Sequence, residues 1–287
     1  MFKFFDVTKD NPIKFNLFTI NQLSLYHYTT KSALEGIVRN SCFWVTRSDF
    51  LNDKSEIIYF KKVLELTIQN LIDLWSRYEN KFETEGILYN QIVDYLKYFC
   101  GKYENILNER DYNIFILSLS ENGSSEYLFK NYSKGNGCII ELNTKDFLQI
   151  EKIETGSSNL GNISFFTSAK VIYDIKQQVK IFQTDIQNIY EKVFYTLKRK
   201  RIKNINQEIY NQIFNEVMQL LLLKIHTYSQ FFKDKEFEQE EEYRVAFVIA
   251  KSEEKRIVRH RTTDNGLVPF IEFKFDIDKS IKSIRMR

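Results

Sequence analysis

Two short segments, far apart in the chain, carry residue types suited to chemistry. Leu25-Tyr26-His27-Tyr28-Thr29 sets an imidazole among tyrosines near one end, and Glu240-Glu241-Glu242-Tyr243-Arg244 sets carboxylates beside a guanidinium near the other. Each lies in or beside a stretch that reads as a β-strand. A strand buried by its aliphatic residues has little reason to carry His, Tyr, Glu and Arg unless those groups meet in a cleft. If the two strands are neighbours in one sheet, a histidine, tyrosines and a carboxylate line one pocket. That is the minimum set for holding a ribose ring and the positive charge that can develop on it.

Alternate residues of a strand share a face, so Leu25, His27 and Thr29 point one way and Tyr26 and Tyr28 the other. Imidazole can bond a ribose hydroxyl near neutral pH; the same ring can instead be a core histidine tied to a backbone carbonyl. Glu240, Glu242 and Arg244 share a face of the late strand if it begins early enough, with Tyr243, Val245 and Phe247 opposite. These charges cannot all be buried unpaired, because desolvating a lone charge costs several kcal/mol. They pair internally, line a wet cleft or lie on a solvated face. Asn52 and Asp53 with Glu56 read either as a helix cap with an acidic first turn or as pocket lining. Ser118 and Ser120 share a strand face and can approach the same cleft. Tyr132 can stack on a planar ring or belong to the core.

The elements that must position these groups follow from periodicity and turn chemistry. Residues 23–30 read as a strand, Lys31 to Asn40 as a short helix with Thr30 as its N-cap, and 42–46 as a second strand. Residues 48–53 form a turn feeding a helix over 54–80, and a further helix covers 85–108. Residues 112–119 are the clearest strand, 124–132 a short helix, and 138–142 a strand after a turn marked by Gly135 and Gly137. Another strand is expected at 171–173, helices at 175–200 and 205–232, and strands at 242–250, 268–275 and 281–287. Strands at both ends and in the centre, with helices between them, predict an α+β fold with a mixed or antiparallel sheet. Without a repeat or a Pro/Gly/Ser-rich linker, the expectation is one domain over 1–287 with helical insertions at about 54–108 and 175–232.

Composition excludes several classes. With 9 Gly and 2 Pro in 287 residues, long disordered stretches are not expected. A formal net charge of +3 is too small to point to nucleic acid by itself. Cys42, Cys100 and Cys138 are isolated, so neither a zinc site nor a disulfide framework is expected, and buried reduced thiols fit a cytoplasmic protein. The N-terminus lacks a signal-peptide core, and Leu220-Leu221-Leu222-Leu223 is stopped by Lys224, too short to cross a bilayer. No Gly-rich phosphate loop follows a strand. Lys198, Arg199, Lys200, Arg201 and Lys203 form a basic cluster that is either a solvated helix face or a contact for nucleic-acid phosphates.

Taken in order, these segments resemble a known family. Leu25 to Thr29, Phe43-Trp44-Val45-Thr46, and Phe50-Leu51-Asn52-Asp53 with Glu56 are similar to the front of the bacterial domain-of-unknown-function 2971 family. Ser118-Leu119-Ser120, Tyr132 and Gly137 to Leu142 resemble its centre, and Phe237-x-x-Glu240-x-Glu242-Tyr243-Arg244 with Gly266 to Ile271 its back. Members usually carry a Met-Trp pair before the tyrosine, where this chain has Phe129-Lys130-Asn131. More distantly, the strand-helix-strand opening with a histidine and the late strand with a carboxylate resemble ADP-ribosyltransferases, in which a split mixed sheet holds NAD. That resemblance implies His27 on a ribose hydroxyl, a tyrosine on nicotinamide and Glu242 as the catalytic carboxylate. Glu240 would orient the acceptor, and Arg244 would hold the carboxylates or a pyrophosphate. Tyr28, Thr29, Asn52, Asp53, Ser118, Ser120 and Tyr132 would complete the NAD site. The expectation is an ADP-ribosyltransferase or NAD glycohydrolase, acting as a bacterial toxin or anti-phage effector. The alternatives are an effector that binds or cleaves RNA through the basic cluster, and a non-catalytic sensor with a sealed His27–Glu242 region.

Overall fold

The computed structural model describes residues 23–51, 56–76, 83–133, 136–148, 163–199, 206–263 and 266–286. The elements run β1 (Ser24–Thr30), α1 (Lys31–Asn40), β2 (Cys42–Arg47), α2 (Glu56–Trp75), α3 (Glu83–Gly101), α4 (Tyr103–Glu109) and β3 (Tyr112–Ser120). Next come α5 (Glu126–Tyr132), β4 (Gly137–Asn143), α6 (Thr144–Phe147), β5 (Ile163–Lys170), α7 (Ile175–Arg199) and α8 (Gln207–Phe231). The chain continues through β6 (Glu242–Ala250), α9 (Glu254–Ile257), β7 (Arg259–Thr263), β8 (Gly266–Lys274), α10 (Ile277–Ser280) and β9 (Ile281–Met286).

Where the sequence reads as one domain with two insertions, the backbone groups into two compact units. One draws on Ser55–Glu109 and Ile172–Lys235, the segments read as insertions. Its helices bury their apolar stripes on one another: Phe60 of α2 meets Phe182 of α7 at 5.4 Å between ring centroids and Phe232 after α8 at 5.9 Å. The expected helix over 85–108 is two helices, broken after Gly101, the weakest helix former short of proline. Lys224, read as the end of an apolar run, is buried on α8 and pairs with Asp185 of α7 at 2.5 Å. No helix among the described residues is long and apolar enough to cross a membrane.

The other unit contains every named strand, and its sheet is curled. Every pairing between these strands is antiparallel, so of the two sheet types the sequence allows, the antiparallel one forms. The order is β7-β8-β2-β3-β1-β4-β9, with β6 on β3 and β5 on β6. Two expectations are corrected. Residues 171–173 are not a strand: Ile172 makes only an isolated bridge to Phe232, and the strand is β5, immediately before. The sequence reading also missed β7, because Arg259-His260-Arg261-Thr262-Thr263 has no aliphatic alternation; edge strands favour such charged residues.

The pairing of β3 decides the shape of this unit. Along one edge β3 pairs with β6 over its whole length, from Tyr112↔Ala250 to Ser120↔Glu242. The other edge is divided. β2 pairs at Phe115 and Ile116, β1 pairs at Ser120, and residues 117–119 have no strand partner there. β1 and β2 therefore diverge from β3 as a fork. Leu25, Phe43, Val45, Leu117, Leu119, Tyr243, Val245 and Phe247 fill the core on one face of the sheet. On the other face Tyr28 and Ile139 pack beneath Leu128 and Phe129 of α5.

One glycine is dictated by close approach. A Cβ on Gly137, the first residue of β4, would lie 2.2 Å from the backbone oxygen of Thr29. Since backbone cannot swing aside as a side chain can, Gly137→Ala should destabilise the protein by roughly 2 kcal/mol or more. Urea unfolding followed by circular dichroism checks this; an unchanged midpoint would mean that β1 and β4 are not held so closely.

Candidate functional site

Strand register sorts the polar residues by face before any side chain is considered. Cross-strand partners in a sheet share a face. Tyr26 pairs with Ser120, and Ser120 with Glu242. Ser118 pairs with Arg244, Thr46 with Ile116, and Arg261 with Val268, whose strand also carries Phe270 opposite Thr46. By alternation, Arg261, Trp44, Thr46, Ser118, Ser120, Tyr26, Glu242 and Arg244 all belong to one face. The same face also carries buried Ile116, Val268 and Phe270, while Leu25, Phe43, Val45, Leu117, Leu119, Val245 and Phe247 fill the core on the other.

His27 follows Tyr26 and so starts from the opposite, core face, where its ring meets Phe43 edge-on at 5.0 Å between centroids. The gap in β3 pairing lets the ring reach into the fork. Its Nδ1 lies 3.3 Å from the carbonyl oxygen of Ser118, in the stretch that neither β1 nor β2 pairs. A carbonyl only accepts, so Nδ1 carries the proton and Nε2 keeps its lone pair. His27 is therefore tied to a backbone carbonyl and also lines a cavity. Burial pulls its pKa from 6.5 down to about 4, against the opposing effect of the Ser118 bond, and the ring is neutral at pH 7.

The cavity has a volume of about 470 Å³, within the range of small-molecule sites. His27, Thr29, Ser118, Tyr132, Glu240 and Glu242 all line it. The two distant segments thus meet, although not as adjacent strands: β3 lies between β1 and β6, so their axes stand ~10 Å apart.

The acidic segment is built differently from a simple strand. β6 starts at Glu242, and Glu240 ends a 3-10 turn over Lys235–Glu240, so the two carboxylates do not share a strand face. Between them Glu241 takes φ 43°, a left-handed conformation costing about 1 kcal/mol in a non-glycine residue. Neighbouring bonds hold it there. Ser120 Oγ donates to the Glu240 carbonyl at 2.9 Å, Glu121 N–H donates to the Glu241 carbonyl at 2.9 Å, and Asn122 Nδ2 donates to Glu241 Oε1 at 2.7 Å. Both Glu240 and Glu242 nevertheless turn to the cavity.

Glu242 and Arg244 form a buried bidentate pair. Arg244 Nε donates to Oε1 at 2.8 Å and Nη2 to Oε2 at 2.9 Å. The guanidinium is 2% exposed and lies behind Glu242, not on the cavity wall. It therefore orients the carboxylate and is not placed to receive a pyrophosphate. Tyr132, at the end of α5, donates its hydroxyl to Glu240 Oε1 at 2.7 Å. Burial pushes the phenol pKa well up, and the charges of Glu240 and Glu242 add to the shift.

The remaining expected site residues divide. Tyr28 also lines the cavity, with its hydroxyl engaged: it donates to the Asn122 carbonyl at 2.7 Å and accepts from Ser125 N–H at 2.9 Å. Ser120 lines the cavity as well; it is buried and holds the turn before β6. Asn52 and Asp53 lie outside the described residues, as do Lys200, Arg201 and Lys203; Lys198 and Arg199 are exposed at the C-terminal end of α7. Cys42, Cys100 and Cys138 are free and buried. No group of three or more metal-ligating side chains exists among the described residues. The sequence reading passed over Trp44, Thr46 and Arg261, which all line the cavity. A signal was present, since Thr263-Asp264-Asn265-Gly266 between two extended runs is hairpin chemistry that would have placed Arg261 on a strand beside β8.

Fold and site define an α+β protein with a forked antiparallel sheet and a cavity of about 470 Å³ at the fork. Residues 128–245, from α5 into β6, match the family described as "Protein of unknown function (DUF2971)". The match supports the family resemblance and spans Tyr132, Glu240, Glu242 and Arg244. No curated protein and no solved structure matches the chain.

Two measurements probe this geometry. Arg244→Met removes the guanidinium from a buried carboxylate and should cost about 3–5 kcal/mol, much of it restored in Glu242→Leu/Arg244→Met; urea unfolding of both variants reads the difference. For His27 the folded pKa lies below the unfolded one, so its contribution is fully present above pH 6.5 and is lost as pH falls toward 4. Between pH 7 and pH 4 the wild type should lose on the order of 2 kcal/mol more stability than His27→Gln, after discounting for partial exposure of the ring. Parallel curves for the two proteins would exclude a buried neutral imidazole.

Proposed function

We propose that the protein cleaves the nicotinamide–ribose bond of NAD, as an NAD glycohydrolase or ADP-ribosyltransferase, in the cavity at the fork. One observation carries this reading: His27 and Glu242, from opposite ends of the chain, line the same cavity of about 470 Å³. Each group there suits a part of the reaction. The Nε2 lone pair of His27 can accept a hydrogen bond from a ribose hydroxyl. Tyr132 and Trp44, 39% and 46% exposed, offer ring surface to planar groups. Glu242, oriented by Arg244, supplies fixed negative charge where positive charge develops.

The glycosidic C–N bond breaks with its electron pair going to nicotinamide, which leaves neutral. The ribose carbon becomes electron-poor, as in glycoside cleavage. A carboxylate already in place stabilises that charge without reorganising at the moment of reaction. Water or an acceptor nucleophile then adds its lone pair to that carbon and releases a proton, for which Glu240 is the neighbouring base. Consumption of cellular NAD is the route by which such an enzyme would act as a toxin or anti-phage effector.

Nicotinamide release from NAD by the pure protein is the direct test. Glu242→Gln, nearly isosteric, should lower kcat by roughly 100- to 1000-fold with little change in KM. Turnover unaltered in that variant, or a wild-type protein that neither binds nor cleaves NAD, removes the reading.

A further inference from the structure

Arg261 has no place in the bond-breaking step, yet it is half-buried on the cavity wall. It stands on β7, opposite Val268 of β8. Its Nη2 donates to Thr46 Oγ1 at 3.0 Å, and its guanidinium lies 6.0 Å from the Trp44 ring centroid. Trp44 in turn stacks on Phe270, with centroids 4.5 Å apart, so the ring beside the cation is fixed. No carboxylate among the described residues pairs with Arg261. Glu272 on β8 is taken by Arg259, at 3.4 Å. Arg244, fully buried on the same face of the sheet, by contrast has a bidentate carboxylate. A guanidinium presents five donors in a planar fork, and a neutral hydroxyl satisfies one of them. Half-buried on the cavity wall and already bonded to Thr46, the guanidinium keeps further donors suited to an anionic ligand inside the cavity.

We propose that Arg261, with the Thr46 hydroxyl and the Trp44 ring beside it, forms an anion subsite that takes the phosphate groups of a nucleotide. Resting on the NAD reading, it deepens that reading: the subsite makes the enzyme select a phosphate-bearing dinucleotide over the bare nucleoside. Arg261 is thus a specificity residue, distinct from the carboxylates at the scissile bond. Bidentate contact between guanidinium and phosphate fits this role, and lysine, a point charge, reproduces it only in part.

Two experiments separate this proposal from the reading beneath it. The first is calorimetric titration of the intact protein with inorganic pyrophosphate, which needs no catalysis. Wild-type binding should weaken by roughly ten- to a hundredfold in Arg261→Gln and by less in Arg261→Lys. Circular dichroism and melting confirm that both variants fold. The second compares kcat/KM for NAD with that for nicotinamide riboside, which has no phosphate. In Arg261→Gln the ratio should fall by a similar factor, mainly through KM for NAD. Pyrophosphate binding that depends on Arg261, in a protein that does not cleave NAD, sustains the subsite and removes only the NAD reading. Binding that is absent, or indifferent to Arg261, overturns the subsite, as does a ratio unchanged while NAD is cleaved.

Discussion

A strand edge in a folded protein must satisfy its backbone donors and acceptors, and on β3 that requirement is met unevenly. β6 pairs with one edge throughout, while β1 and β2 share the other and leave residues 117–119 between them. A carbonyl in that gap still needs a donor, and His27 supplies it from β1. The cavity, its neutral imidazole and the divergence of the two strands all depend on this arrangement. Had β1 or β2 continued along β3, the site would be filled with backbone hydrogen bonds.

Charge is handled in the sheet unit by fixing it. Glu242 is locked to Arg244 through two parallel hydrogen bonds, and Glu240 accepts the hydroxyl of Tyr132. The turn between the two carboxylates holds a left-handed glutamate, secured by Ser120, Glu121 and Asn122. Such a segment costs conformational energy, and strained turns held by their surroundings tend to occur at functional sites. The effect is two acidic groups with little freedom, facing one hollow from two different backbone geometries. In the proposed chemistry this rigidity is the useful property, because charge that must move into place stabilises a transition state less well.

Much of this was legible beforehand. β1, α1 with its Thr30 cap, β2, β3 and β6 follow from alternation and capping chemistry, because local interactions set them. His27 and the carboxylates stood out because they interrupt aliphatic strands. Three things were not legible. Arg261 sits in a strand whose composition is that of a solvated loop, with only the turn residues after it pointing to a hairpin. Glu240 reads as part of a strand that begins two residues later. Ser120 and Tyr28 line the cavity, but their hydroxyls are engaged by the backbone of neighbouring turns, which the strand pattern does not show. For the last two the deciding partner is distant in sequence.

The sequence by itself determined which residues are strand and which are helix at most positions, and which polar groups are too costly to bury without a purpose. Period-2 alternation, N-caps and the expense of lone charges are local rules, readable without a partner. Only the tertiary structure decided that β3 stands between β1 and β6, that its edge forks, and that Arg244 backs Glu242 while Arg261 faces the cavity. Register and strand order arise largely from contacts between distant segments, such as Tyr26 with Ser120 and Ser120 with Glu242. The pattern within each segment admits many such pairings, and burial of the shared core selects among them.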